Sequence, residues 1–356
     1  CNQQGNDGAA LKEFAKATGP LRGTSCAKHS LLASTRQSQY HPRPMAKRKR
    51  TRKPPPPLWA PSLWPTWLLV GCAWLIARLP LAWIFRLGRG LGDLTFRLGR
   101  SRRLITETNI ARCFPELPQA RQQQLVRDTF RAVGIGALEL MIPWLNPKRD
   151  LSDRFDVIGE EHLQEAVAMG RGVILIGGHF AVIDVISQPL SEFGCIDVMY
   201  RYNKNPVWER LQVRGRKRYF DGVIEREDTR QTLKRLKQGR AIWYAADQDY
   251  GRKHSVFAAF FGVPAATIVA TARFARLNDS PVLLIRQTRD EKNQRWEIYF
   301  SPIIEDFPSG DDQQDAERIN KLLEEQIRLH PEQYLWLHKR FKTRPPGEPG
   351  FYPPGT

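Results

Sequence analysis

Residues 173–176, Val-Ile-Leu-Ile, form an apolar run without polar alternation, and the run breaks at Gly177 and Gly178 into His179. A run of this kind reads as a strand buried on both faces, which occurs where helices cover a sheet from two sides. The rest of the chain repeats the theme. Strand signals at 156–158, 195–200 and 241–246 alternate with helical patterns at 206–218, 228–237, 265–277 and 311–329. Strands at 282–287 and 296–301 are separated only by the charged turn "TRDEKNQR" and should pair antiparallel. The expected fold is α/β, with a mostly parallel central sheet, helices on both faces, and an N-terminal membrane-anchor helix.

The anchor expectation rests on residues 58–85, "LWAPSLWPTWLLVGCAWLIARLPLAWIF", in which Arg78 is the only charge. A span needs about 20 apolar residues, and Leu58 to Ala77 supplies that length, although Pro61 and Pro65 weaken its first turns. One tilted span is therefore expected, against an alternative of a tryptophan-rich helix lying among lipid headgroups. Charge supports a membrane under either reading. The chain carries a formal +18, and between Met45 and Arg103 there are thirteen Lys or Arg against one acid, Asp93. Such density beside apolar sequence points to an anionic membrane or polymer. No aromatic-interleaved or zinc pattern of a nucleic-acid module is present, so no nucleic-acid partner is expected. The five scattered cysteines include no C-x-x-C, which argues for a reducing compartment and against a disulfide framework or a metal site. Residues 1–57 read as a leader outside the fold, either sequence upstream of a start at Met45 or disordered chain, ending in a basic and proline-rich stretch.

His179 falls where a central strand hands over to a helix predicted over 180–190, and the carboxyl edge of such a sheet is where ligands bind. An imidazole serves as general base near neutral pH and works best when a carboxylate fixes its tautomer. Asp184, one turn into the predicted helix, is placed to reach back to the ring. No Ser or Cys stands as a nucleophile: there is no G-x-S-x-G, and Cys195 opens a buried strand. The residues suggest direct transfer to a hydroxyl without a covalent intermediate. Spacing alone equally allows His179 to be a structural histidine at a helix start.

Four segments in order, "GGHFAVIDV", "YRYNKNPVWERLQVRGR", "YAADQDYGRKHSVFAAFFGVPAAT" and "HPEQYLWLHKRFKTRP", resemble the bacterial lipid A late acyltransferase family over roughly residues 64–345. The resemblance implies an inner-membrane enzyme whose catalytic domain, 87–345, faces the cytoplasm behind an anchor at 58–86, with a disordered tail at 346–356. It implies transfer of an acyl chain, lauroyl as the family-level expectation, from acyl-carrier protein to a 3-hydroxyacyl chain on a Kdo-bearing lipid A precursor, without a cofactor. It carries the catalytic dyad onto His179 and Asp184, and supporting roles onto Arg216 and Asp247. Arg201, Lys204, Arg218, Arg252 and Lys253 are candidate anion-binding residues, since the acceptor bears phosphates and carboxylates that guanidinium groups match. Glycerophospholipid acyltransferases share a His-x4-Asp dyad, but their "FPEGTR"-like motif follows it, whereas "FPEL" at Phe114 precedes it here. They, and acyltransferases of other glycolipids, are the alternative reading.

Overall fold

The computed structural model describes residues 55–356. The expected leader up to residue 54, including Met45, lies outside the described residues.

The chain opens with helix α1, Trp64–Ile76. Thirteen residues rise about 20 Å, short of a hydrocarbon core about 30 Å thick. Among the described residues no helix is long and apolar enough to cross a membrane, so the expected span over Leu58–Ala77 is corrected. The prolines explain the outcome. Pro61 and Pro65 confine the first residues to a short 3-10 turn and the start of α1, and Pro80 forces Leu79 out of helical geometry. The chain turns at 77–80 and begins a second helix, α2, Leu81–Leu98. The 58–86 segment is therefore no separate rod, since α2 runs through residue 86. Instead, α1 lies on the fold, where Leu63 and Val70 pack with Val207 while Trp64, Trp67 and Leu68 turn outward.

Helix α2 is amphipathic by spacing. Leu81, Ile84, Phe85, Gly88 and Gly92 face inward, and Trp83, Leu87 and Leu94 face outward. It is followed by α3, Arg100–Cys113, and α4, Gln119–Glu139, divided at "FPELP", and by the short α5, Met141–Leu145. Helices α2 and α4 meet through glycine. A Cβ on Gly134 would lie within 3 Å of backbone atoms of Gly88 and Gly92, which cannot rotate away. Gly134→Ala is thus expected to cost about 1–3 kcal/mol. Gly90→Ala, on the partner helix α2 but with open space around it, should stabilise by about 0.5–1 kcal/mol. Urea unfolding of the two variants checks the contrast; equal effects would contradict the close crossing.

The βα region then runs β1 (Phe155–Ile158), α6 (Glu160–Ala168), β2 (Val173–Gly177), α7 (Ser187–Glu192), β3 (Ile196–Tyr200), α8 (Pro206–Arg216), β4 (Val223–Glu225), α9 (Thr229–Leu236) and β5 (Ala241–Ala245). It continues with β6 (Ser255–Phe260), β7 (Val263–Ile268), α10 (Ala270–Asn278), β8 (Val282–Asp290), β9 (Arg295–Phe300) and α11 (Asp312–Leu329). Seven strands form one sheet in the order β1-β9-β8-β2-β5-β3-β4. β8, β2, β5, β3 and β4 are parallel, and β9 turns back against β8 as the charged turn predicted. β2 is central and wholly buried. Ile174 and Ile176 enter a core under α3 and α11, while Val173 and Leu175 enter a second core with Leu81, Phe85, Leu163 and Leu190. Helices do cover both faces.

Three local expectations give way to tertiary pairing. The helix predicted from 265 begins at Ala270, because β-branched Val263, Thr267 and Ile268 pair with β6 as a hairpin. At its turn Phe260 and Phe261 are buried, Phe261 against Phe114 and Trp336. The helix predicted over 180–190 forms only from Ser187, after a 3-10 turn at Asp184–Ile186. The expected tail at 346–356 is not loose either. Phe351 and Tyr352 pack on the core, and the Tyr352 hydroxyl donates to Asn109 at 2.7 Å.

Candidate active site

β2, β5, β3 and β4 present their carboxyl ends at one edge of the sheet. His179 stands two residues past the end of β2, and Asp247 two residues past the end of β5, on adjacent strands. The Asp247 carboxylate holds His179 twice: the His179 backbone N–H donates to Oδ2 at 2.8 Å, and Nδ1 lies 2.5 Å from Oδ1. This grip explains why no helix starts at 180. The next amides are also spoken for, since Phe180 N–H donates to the Gly178 carbonyl and Ala181 N–H to the Gln333 carbonyl. With Nδ1–H directed at a carboxylate, the other ring nitrogen, Nε2, is left as the acceptor. The His179 side chain is 24% exposed and that of Asp247 only 2%, so the pair offers one open basic atom backed by a buried charge.

Burial by itself would raise the Asp247 carboxyl. The charge of His179, hydrogen bonds from its ring and backbone, and a hydrogen bond from the Tyr334 hydroxyl together outweigh burial and hold it far below the usual carboxylate range. Tyr334 is fully buried and its hydroxyl is pushed up, first by burial and then by Asp247. It joins the His179–Asp247 pair without having been singled out in the sequence. Its only signal was an aromatic within the closing motif, which reads as core.

Asp184 does not reach His179. Both of its oxygens accept from Arg216, Nε to Oδ1 at 2.7 Å and Nη2 to Oδ2 at 3.0 Å, with both side chains largely buried. The expected His179–Asp184 pair is therefore replaced by two pairs, His179–Asp247 and Asp184–Arg216. The physical reason is the irregular path of 179–183, which turns Asp184 toward α8, where Gly215 packs flush on Trp144 and brings Arg216 close. Of the candidates Asp184, Arg216 and Asp247, the structure joins Asp247 to His179 and pairs Asp184 with Arg216 instead.

The anion candidates divide. Arg218 Nη1 donates to the carbonyls of Trp144, at 2.7 Å, and Pro143, at the end of α5, which occupies part of its guanidinium. Arg252 donates to the Arg344 carbonyl at 2.9 Å, which occupies part of its fork, while Lys253 is exposed. Arg201 and Lys204 are exposed directly after β3, at the edge that carries His179. Among the described residues no group of His, Cys, Asp and Glu could hold a metal ion.

The closing motif straps the loops that follow β2 and β5. Leu335 N–H donates to the His179 carbonyl, and the Asp249 carboxylate accepts from Thr343 N and Oγ1 at 2.6 and 2.8 Å. Asp249 is thereby a turn residue. His338 Nε2 accepts from Asp249 N–H at 3.4 Å, and burial is the main force that pushes its pKa down to about 4. As pH falls below about 6.5, the unfolded chain gains a proton at 338 that the folded chain refuses until about 4, so stability should drop across that window. His338→Gln should flatten this part of the profile in urea unfolding; an unchanged slope would count against it.

With this geometry in place, comparison with known proteins is informative. The family model for the bacterial lipid A biosynthesis acyltransferase matches residues 53–343. The chain is 36% identical over 296 residues to the lipid A biosynthesis lauroyltransferase of Escherichia coli (strain K12), covering 82% of this chain and 96% of that protein. It is 34% identical over 293 residues to the palmitoleoyltransferase of the same organism (82% and 95% covered) and 30% identical over 291 residues to its myristoyltransferase (81% and 90%).

Proposed function

Since the chain belongs to the bacterial lipid A biosynthesis acyltransferase family and is an acyltransferase acting on a lipid A precursor, we propose its donor, acyl chain and mechanism. The donor is acyl-carrier protein, the chain transferred is lauroyl, and the acceptor is the 3-hydroxyl of an acyl chain on a Kdo-bearing precursor. One observation carries the mechanism: an open imidazole held by a buried carboxylate at the carboxyl edge of the central sheet. His179 Nε2 removes the hydroxyl proton as the oxygen attacks the thioester carbonyl. The tetrahedral intermediate collapses to the new ester and the carrier thiolate, which takes the proton back from His179. Asp247 stays ionised and steadies the imidazolium in between, and Tyr334 steadies Asp247.

The placement proposed is the bacterial inner membrane, with the catalytic edge on the cytoplasmic side where the carrier protein is found. Support comes from the outward tryptophans and leucines of α1 and α2 with the flanking Arg86, Arg89 and Arg97, a combination suited to an anionic interface. The test is transfer by the purified full chain from carriers loaded with a series of chain lengths. The Kdo-bearing precursor and lysophosphatidic acid would be offered together as acceptors. A lauroyl mass gain on the precursor is expected; acylation of the lysophospholipid alone would overturn the acceptor, and preference for another chain would overturn the lauroyl assignment.

A further inference from the structure

Beyond the catalytic pair, the same edge carries an arrangement that the mechanism leaves unused. β3 and β4 are parallel in the register Val198↔Val223, Met199↔Ile224, Tyr200↔Glu225. The next residues on the two strands are Arg201 and Arg226, so two arginines leave neighbouring strand ends side by side. Arg226 N–H donates to the Tyr200 carbonyl at 2.9 Å, which keeps this alignment one residue beyond the strands. The Arg226 guanidinium lies over the Tyr250 ring, 5.1 Å from its centroid. Tyr250 stands three residues after Asp247, and both Arg201 and Asp247 bear electrostatically on its hydroxyl. The group is thus adjacent to the catalytic carboxylate.

Arg216, Arg235, Arg240, Arg286 and Arg289 each meet a carboxylate. Among the described residues no such ion pair engages Arg201 or Arg226. Like charges on adjacent strands repel, and an anion between them would remove that cost. Two planar forks at strand spacing match the several oxygens of a phosphate better than single ammonium groups would.

We propose that Arg201 and Arg226, backed by Tyr250, form a cradle for a phosphate group of a bound substrate, held beside His179 while the acyl group transfers. The inference rests on the acyltransfer reading above. The phosphate has two chemical sources, a sugar phosphate of the acceptor or the phosphodiester in the thiol arm of the carrier, and the test separates them. Purified full-length Arg201→Ala, Arg226→Ala and the double variant would be compared with wild type in KM for each substrate, and in equilibrium binding of the precursor without donor. Each single change should weaken handling of the phosphate-bearing substrate about tenfold with kcat little altered. Arg226→Lys should recover part of the loss. A rise confined to the precursor, and absent for a dephosphorylated precursor, identifies the acceptor; a rise confined to the acyl-carrier protein identifies the donor. Unchanged KM for both substrates while transfer proceeds, or an equal loss on the dephosphorylated precursor in the acceptor case, overturns the cradle and leaves acyltransfer standing. Arginine-dependent binding of the phosphorylated precursor without any transfer would overturn acyltransfer and leave the cradle standing.

Discussion

Alanine at His179 is expected to lower acyl transfer by about 10²- to 10⁴-fold with the fold intact, the range over which positioned general bases act. Asparagine at Asp247 should reach a similar depth, roughly 10⁴-fold, by a different route. An amide can offer its NH₂ to Nδ1 and stabilise the tautomer that leaves Nε2 protonated, which cannot accept a proton. Both numbers are read from turnover at saturating donor and acceptor. Asp184→Asn is the informative companion, because Asp184 touches Arg216 and not the imidazole. Its activity should fall only as far as its stability does. If a well-folded Asp184→Asn protein lost turnover as deeply as Asp247→Asn, Asp247 could not be the sole carboxylate serving His179.

Removal of Arg216 should be the most damaging single change to the fold near the site. Its guanidinium meets Asp184 through two hydrogen bonds at 2.7 and 3.0 Å, and the side chains are 11% and 7% exposed. Arg216→Ala leaves a carboxylate in a largely dry setting without its partner, a change that costs about 3–5 kcal/mol when a buried pair is broken from one side. Replacing both members with apolar residues of similar size should return most of that stability, since no charge is then stranded. Urea unfolding of the single and double variants would decide it; a double variant no more stable than the single one would mean that the pair supplies more than mutual neutralisation.

How far these residues were legible depends on the range of the interactions that place them. The central strand and the hairpin of β8 and β9 are encoded locally, in an unbroken apolar run and a short charged turn, and both form where expected. The position of His179 was legible for the same reason, since Gly177 and Gly178 mark the strand end. Its partner was not. Asp184 is five residues away in sequence and Asp247 sixty-eight, yet β2 and β5 are neighbours in the sheet, and no local pattern announces that adjacency. Tyr334 is further still, and its role exists only because the closing motif folds over both loops. The anchor shows the opposite failure. Counting apolar residues registers length but not the bend at Pro80, nor that Leu63 and Val70 find partners on the fold.

The glycine crossing of α2 and α4 extends one contact further. A Cβ on Gly136 would likewise come within 3 Å of the Ala181 carbonyl, two residues past His179. From the tryptophan-bearing helix to the catalytic loop the chain therefore touches main chain to main chain, with no layer of side chains to compress or repack in between. A stack of this kind behaves as a spacer of fixed height. The imidazole is held at a set distance from the apolar outer face of α2, and that distance is fixed by the covalent skeleton rather than by any one side chain.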